Sequence, residues 1–155
     1  MEGKIKIVVI DDERDICLLI KENLEITGRF AVITTSSPLE AEQLCQQEQP
    51  DLILMDVVMP NRKGSDIVES LKKDPGTKRI PIIIMSGLGE MVYFKDKDKW
   101  SWLPNMPIVK ERGEIIHEFN PNIAAQAYGV RAYIDKPFGA KRLIELIDEV
   151  LGLSK

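Results

Sequence analysis

Residues 5–12 read IKIVVIDD, a short apolar run that ends in two aspartates. Similar runs occupy residues 30–34, 52–55, 80–85 and 131–134. Short apolar runs that are continuous rather than alternating are typical of strands buried on both faces of a parallel sheet. Most segments between these runs carry apolar residues at helical spacings of three and four. This alternation predicts an α/β fold, a doubly wound (βα)5 sandwich with helices on both faces of a parallel five-stranded sheet.

The composition is that of an ordinary globular domain. The chain has 155 residues, 44% of them hydrophobic and 30% charged, so we expect a single domain spanning 1–155. Its net charge of −4 argues against direct binding of nucleic acid, which requires a basic surface. Neither a secretory signal nor an apolar run of membrane-spanning length is visible, so we expect a cytoplasmic protein with no membrane association. Cys17 and Cys45 lie on different predicted helices and are expected to be buried free thiols.

One stretch, at about residues 89–122, departs from the alternation. It holds both tryptophans and five of the nine aromatic residues but shows no clean strand or helix period, although Glu111–Phe119 has the spacing of a short helix. We expect an insertion between the fourth strand and the fourth helix. Its aromatic residues include Tyr93, Phe94, Trp100 and Trp102. Because such side chains are costly to leave in water, the insertion is predicted to bind a partner or to form a homodimer; a surface excursion without a function is the alternative.

Polar residues follow the ends of four predicted strands. Asp11 and Asp12 follow the first strand, Asp56 the third, Ser86 the fourth and Lys136 the fifth. In an open parallel sheet, ligands bind at the carboxyl ends of the strands where the strand order reverses, and with the order 2-1-3-4-5 these five groups converge. Taken singly, each has a structural alternative: a cap of the first helix for Asp12, a polar turn for Asp56, a loop hydroxyl for Ser86 and a solvated charge for Lys136. Their collection at one edge favours a functional site.

The three predicted neighbouring carboxylates suggest a metal. Ionised carboxylates within a few ångströms repel one another unless one is protonated or a cation binds among them. A cluster of oxygen ligands without imidazole or thiolate suits Mg²⁺. The charges of three aspartates, one Mg²⁺ and Lys136 sum to zero, which leaves a socket that accepts an anion. A carboxylate, a Mg²⁺ and a fixed lysine are the parts that phosphoryl transfer onto a carboxylate requires, so the sequence predicts an acceptor aspartate.

Several motifs together resemble the receiver domain of two-component response regulators. They are Val9-Ile10-Asp11-Asp12-Glu13, DLILMDVVMP at 51–60 followed by Gly64, Met85-Ser86-Gly87 and YIDKPF at 133–138. The resemblance covers residues 4–88 and 120–153, nearly everything outside the insertion. It implies a flavodoxin-like fold with strand order 2-1-3-4-5.

The resemblance assigns roles at the predicted metal site. Asp56 would be the phosphoacceptor in a phosphorelay. Asp12 and Asp56 would ligate Mg²⁺ directly, Asp11 through a water molecule, and Val58 through its backbone carbonyl. Lys136 would contact the phosphoryl oxygens.

The resemblance also implies a conformational switch. Ser86 would move to hydrogen-bond a phosphoryl oxygen, and Tyr133 would rotate inward as it does so. The surface formed by the fourth helix, the fifth strand and the fifth helix would then change for partner binding. The Lys136–Pro137 peptide bond would be cis.

The same resemblance implies two kinds of protein partner for this chain. A histidine kinase or a histidine phosphotransfer protein would donate the phosphoryl group, and a downstream protein target would read the changed surface. The chain would not be an enzyme beyond phosphorylating itself from a donor and dephosphorylating itself. It is read either as a stand-alone receiver or as part of a longer chain.

The motifs bear differently on three other classes of protein. An aspartate-nucleophile phosphohydrolase requires a second aspartate two residues after the nucleophile, where this chain has Val58. A flavodoxin requires a phosphate-cradling loop after the first strand, where this chain has two carboxylates. A pseudo-receiver, which binds partners without phosphorylation, stays as the alternative because the insertion can block the site.

Overall fold

The fold is built around one open sheet. The computed structural model describes residues 3–57, 59, 64–86, 90–94, 99–103, 108–111, 114–118 and 129–153. Within these ranges the strands are β1 (Ile5–Ile10), β2 (Phe30–Thr35), β3 (Leu52–Asp56), β4 (Ile82–Ser86), β5 (Glu90–Phe94), β6 (Lys99–Leu103), β7 (Ile108–Glu111), β8 (Glu114–Glu118) and β9 (Ala132–Asp135). The helices in the same ranges are α1 (Arg14–Glu25), α2 (Ala41–Glu48), α3 (Gly64–Lys73) and α4 (Ala140–Leu151), with a 3-10 turn (Pro38–Glu40) before α2.

Five strands form a parallel sheet in the order β2-β1-β3-β4-β9. This confirms the predicted fold and the order 2-1-3-4-5. The chain runs from β1 outward to β2 and then crosses back to β3, so the order reverses between β1 and β3. Ile10 is level with Met55, and Asp56 is level with Met85. The residue that ends β3 and the residues that follow β1 therefore lie side by side at the carboxyl edge.

Two apolar cores lie on opposite faces of the sheet. One packs Val8, Ile53 and Ile84 against α2 and α3, and the other packs Ile7 and Leu54 against α1 and α4. Successive residues of a strand point to opposite faces, and both faces are covered by helices. This double burial is why the strands are continuously apolar. No described helix combines the length and the apolar character that crossing a membrane requires.

The predicted insertion contains two antiparallel hairpins, β5–β6 and β7–β8. The sequence of this stretch shows no clean strand period, yet the structure forms four short strands there. The short helix predicted over Glu111–Phe119 is wrong, because Glu114–Glu118 forms β8. Strands of four or five residues are too short for their period to separate them from a helix turn, and the pairing of β7 with β8 is irregular between Val109 and Lys110.

The backbone register of the first hairpin pairs aromatic positions of the insertion. Tyr93 pairs with Trp100, Met91 with Trp102 and Phe94 with Lys99. The predicted fourth helix, at residues 123–127, lies outside the described residues.

Candidate metal centre

Three aspartates meet at the carboxyl edge of the sheet. Asp11 directly follows β1, Asp12 comes next, and Asp56 is the last residue of the neighbouring β3. One carboxylate oxygen of each lies within 4.8 Å of those of the other two. Asp11 and Asp56 are buried, with 0% and 4% of their surface exposed, and Asp12 is partly buried. The structure thus brings together the carboxylates that the sequence predicted to converge.

Lys136 directly follows β9, which β4 separates from β3, and its side chain reaches this cluster. Its Nζ lies 2.6 Å from Asp11 Oδ2 and 3.5 Å from Asp56 Oδ2. Burial disfavours the ammonium, but the hydrogen bond to Asp11 and the charge of Asp56 outweigh burial and raise the pKa of Lys136 above its usual value. The lysine therefore stays charged at the site. The Lys136–Pro137 peptide bond is cis, as predicted.

The loop between β1 and α1 is held by hydrogen bonds of the Asp11 backbone and side chain. The Asp11 N–H donates to the carbonyl of Thr35 over 3.2 Å, and Asp11 Oδ1 accepts the Glu13 N–H over 2.9 Å. Glu13 is the N-cap of α1, and no side chain caps this helix. The alternative role of Asp12 as a helix cap is therefore wrong, and its carboxylate belongs to the acidic cluster.

The donor set of this cluster fits a hard divalent cation. Three carboxylates and one ammonium leave a charge of −2 in a largely buried place, which costs free energy unless a cation offsets it. All the side-chain ligands offered are oxygen atoms, which Mg²⁺ prefers. The residues present therefore fit the predicted Mg²⁺.

The remaining predicted site residues are located only in part. The backbone of Ser86 ends β4 level with Asp135, but the predicted contact of its hydroxyl lies outside what the structure describes. The predicted ligand Val58 lies outside the described residues. Tyr133 is 4% exposed and belongs to the core on the α2 and α3 side, so its ring already lies inward in this structure.

A cleft between α1 and α4 opens onto the site, and the sequence did not predict it. It has a volume of about 420 Å³ and is lined mainly by apolar residues of both helices, and Asp56 and Lys136 are among its lining residues. Leu19 lines it and is 54% exposed. The helical spacing of Ile16, Leu19 and Ile20 is a sequence signal for such a cleft, because it makes an apolar stripe on α1 that is wider than the neighbouring elements cover.

Comparison with known proteins defines the class of this fold and site. The family model of the response regulator receiver domain matches residues 7–97, more than half of the chain. The chain belongs to the response regulator receiver family.

Individual relatives agree with this assignment. The chain is 38% identical over 85 residues to the phosphate regulon transcriptional regulatory protein PhoB of Rhizobium meliloti, a match that covers 55% of this chain and 37% of that protein. It thus spans little more than a third of that regulator. It is 28% identical over 146 residues to the polar-differentiation response regulator DivK of Brucella ovis, covering 94% of this chain and 95% of the relative.

Solved structures show the same fold. A response regulator receiver domain protein from Clostridium thermocellum superposes with a TM-score of 0.66 at 29% identity, covering 96% of this chain and 94% of that one. A response regulator from Desulfuromonas acetoxidans superposes with a TM-score of 0.68 at 25% identity, covering 97% and 99%.

Proposed function

We propose that this receiver domain accepts a phosphoryl group on Asp56 in a Mg²⁺-dependent phosphorelay. One observation carries the proposal: Asp56 is buried in a cluster of three carboxylates, and the ammonium of Lys136 lies 3.5 Å from its Oδ2. Burial keeps water from the carboxylate, and the fixed lysine compensates the charge that an incoming phosphoryl group brings.

Each residue of the site has a part in the proposed transfer. A carboxylate oxygen of Asp56 attacks the phosphorus of a phosphohistidine, a P–O bond forms, and the P–N bond to the histidine breaks. Asp12 and Asp56 would hold Mg²⁺ directly, with Asp11 acting through water, and the bound cation would offset charge on the transferring oxygens. Lys136, whose Nζ lies 3.5 Å from Asp56 Oδ2, would contact the phosphoryl oxygens.

Phosphorylation changes the charge at the edge of the sheet. The carboxylate of Asp56 becomes an acyl phosphate with about two negative charges. We propose that Ser86 and Tyr133 respond and change the surface around β9 and α4 for a downstream protein target. Hydrolysis of the acyl phosphate resets the domain, which has no other enzymatic activity in this proposal. The buried free thiols Cys17 and Cys45 suit the reducing cytoplasm in which we place the protein.

The cleft between α1 and α4 is the proposed docking place of the phosphodonor. Its apolar lining suits a helix of a histidine kinase or phosphotransfer protein, and Asp56 and Lys136, which also line it, would receive the phosphohistidine. Leu18 and Leu19 are both 54% exposed, but only Leu19 lines the cleft, so they form a matched pair of test sites.

The docking proposal predicts a loss that depends on the donor. In Leu19→Arg, the ratio of the phosphorylation rate from a phosphotransfer domain that phosphorylates the wild type to the rate from acetyl phosphate falls about tenfold, because one interface anchor is worth about 1 to 2 kcal/mol. Rapid-quench measurement of both rates tests this. Leu18→Arg serves as the control, and an equal loss in Leu18→Arg would contradict docking in the cleft.

The proposed function itself is tested by intact-protein mass spectrometry after incubation with acetyl phosphate and Mg²⁺. We expect one phosphoryl adduct that disappears in Asp56→Asn and with a chelator. Asp51→Asn, at the opposite edge of the sheet where Asp51 accepts the Lys6 N–H, is the control that keeps the adduct. An adduct that persists in Asp56→Asn would contradict the proposal. No adduct from acetyl phosphate or a phosphotransfer protein would favour the pseudo-receiver, a module that binds partners without phosphorylation.

A further inference from the structure

The polar groups of Asp11 all have partners in the folded chain. Its N–H donates to the Thr35 carbonyl over 3.2 Å, Oδ1 accepts the Glu13 N–H over 2.9 Å, and Oδ2 accepts from Lys136 over 2.6 Å. Its backbone carbonyl accepts the thiol of Cys17, with Sγ 3.3 Å from the oxygen. The first three contacts belong to the site already described, whereas the thiol contact has no role in it.

The position of Cys17 links the thiol to two strand ends. Cys17 lies in the first turn of α1 and is 3% exposed, and its Sγ is also 3.8 Å from the carbonyl oxygen of Thr35. The thiol therefore lies across the carboxyl ends of β1 and β2. A thiol is a weak hydrogen-bond donor, and the shorter of the two contacts, to the Asp11 carbonyl, is the one it makes.

The carbonyl that receives this thiol belongs to the peptide unit between Asp11 and Asp12. A peptide unit is planar, so the direction of the Asp11 carbonyl also fixes the direction in which the chain enters Asp12. Groups that orient metal ligands without touching the metal affect its affinity, because they restrict the ligands to the binding geometry. One contact in the core thus constrains two carboxylates of the cluster.

We propose that Cys17 is a positioning residue for the cation site, which holds the peptide between Asp11 and Asp12 so that both carboxylates face the cation. This inference rests on the Mg²⁺ site of the proposed function. It assigns Cys17 a role that its burial in the core does not by itself require. Cys45 provides the comparison, since it is an equally buried free thiol in the core on the opposite face of the sheet.

The test is direct titration with Mn²⁺, a spectroscopic substitute for Mg²⁺, with the free ion measured by electron paramagnetic resonance. Cys17→Ala is expected to raise the Kd for Mn²⁺ about 3- to 10-fold, the modest effect of losing a weak thiol donor behind a ligand. Cys17→Ser retains a donor and is expected to stay within about twofold of wild type. Cys45→Ala, which removes a buried thiol away from the site, is expected to leave the Kd unchanged. Circular dichroism confirms that each variant is folded at the titration temperature.

The outcomes separate this inference from the proposed function. If the wild type binds Mn²⁺ and Cys17→Ala binds it with the same Kd, the positioning role is overturned while the cation site stands. Equal weakening by Cys17→Ala and Cys45→Ala would also overturn it, since the effect would then come from the core in general. A wild type that binds no Mn²⁺ overturns the cation site and the role of Cys17 together.

Discussion

At the residue scale, Gly64 sets how closely α3 approaches the end of β3. A Cβ atom at this position would lie 2.6 Å from Val57 Cα and 3.1 Å from the carbonyl oxygen of Asp56. The Gly64 N–H also donates to the Val57 carbonyl over 3.2 Å. Any side chain on Gly64 therefore pushes against backbone next to Asp56, and backbone cannot move aside as a flexible side chain can.

Replacing Gly64 with alanine is therefore expected to displace the segment that follows β3. We predict a loss of about 1 to 3 kcal/mol in the free energy of unfolding, the usual cost of overpacking. We also predict phosphorylation by acetyl phosphate that is roughly 10- to 100-fold slower, because misplacing a reacting group by about 1 Å has that effect. Urea titration and timed mass spectra measure the two quantities.

Gly139→Ala is the matched control, because no heavy atom lies within 4 Å of a Cβ at Gly139 and its backbone is extended. It is expected to change the free energy of unfolding by less than about 0.5 kcal/mol. A Gly64→Ala protein as stable and as reactive as Gly139→Ala would contradict the close-approach argument.

Cys45 gives the fold a dependence on alkaline pH. Burial, with a smaller contribution from the charge of Glu42, raises the pKa of this thiol from 9.0 to about 12. Its proton is held more tightly in the folded than in the unfolded chain, so its contribution to stability is complete below pH 9 and is lost as the pH rises towards 12.

The free energy of unfolding should therefore fall between pH 8 and pH 11, with about 2 to 3 kcal/mol of the loss due to Cys45. Urea titrations at pH 8 and pH 11 measure this fall. Cys45→Ala is expected to be less stable than wild type at pH 8, but its free energy of unfolding should fall by about 2 to 3 kcal/mol less between the two pH values. An identical fall in wild type and Cys45→Ala would contradict this assignment.

At the element scale, α1 closes the edge of the sheet at β2. Lys21 Nζ donates to the Val32 carbonyl over 2.7 Å, and the Val32 N–H donates to Glu25 Oε2 over 3.1 Å. The hydrogen bond from Val32 is the main reason that the pKa of Glu25 is lowered. These two side chains occupy the places that the amide and carbonyl of a further strand would take, which protects an edge that otherwise invites strand addition.

Removing both side chains in Lys21→Ala/Glu25→Ala should open this edge. We expect hydrogen exchange of the Val32 amide to become at least about tenfold faster, since the loss of one such hydrogen bond is worth about 1 to 2 kcal/mol. We also expect self-association that grows with protein concentration, measured by light scattering. The control is Glu69→Ala/Lys73→Ala, which removes an exposed ion pair of the same spacing on α3. Unchanged exchange at Val32 would contradict the edge-closing role.

At the scale of the whole molecule, the three carboxylates of the acidic cluster repel one another, and a cation bound among them reduces this repulsion. The three carboxylates come from two neighbouring strands, so binding of a cation among them stabilises the fold as a whole.

At a Mg²⁺ concentration ten times its Kd, we expect the stability to rise by about 1.4 kcal/mol and the Tm by about 3 to 5 °C. Differential scanning calorimetry measures the shift, with NaCl at equal ionic strength as the control for screening. Asp12→Asn should show little of this rise in Tm, because it removes one carboxylate of the cluster. A shift equal in wild type and Asp12→Asn would contradict binding at this cluster.

The sequence by itself determined the doubly wound fold and the positions of the five apolar strands of its parallel sheet. Because both faces of the sheet are covered, strands such as Ile5–Ile10 must be apolar throughout, and this is visible without a structure. It also placed Asp11, Asp12 and Asp56 at one edge, since parallel strands end at the same side. The hairpins of the insertion could not be predicted, because strands as short as Ile108–Glu111 carry too few residues for a period.

Only the tertiary structure decided which groups touch. Lys136 meets Asp11 across 125 positions of the chain, and the Cys17 thiol meets the Asp11 carbonyl because α1 packs over the ends of β1 and β2. Leu19, which is 54% exposed, likewise lines a cleft that exists only where α1 and α4 come together. A local pattern records which face of an element is buried, whereas a contact between distant residues depends on how the elements pack together. That packing is a property of the whole fold.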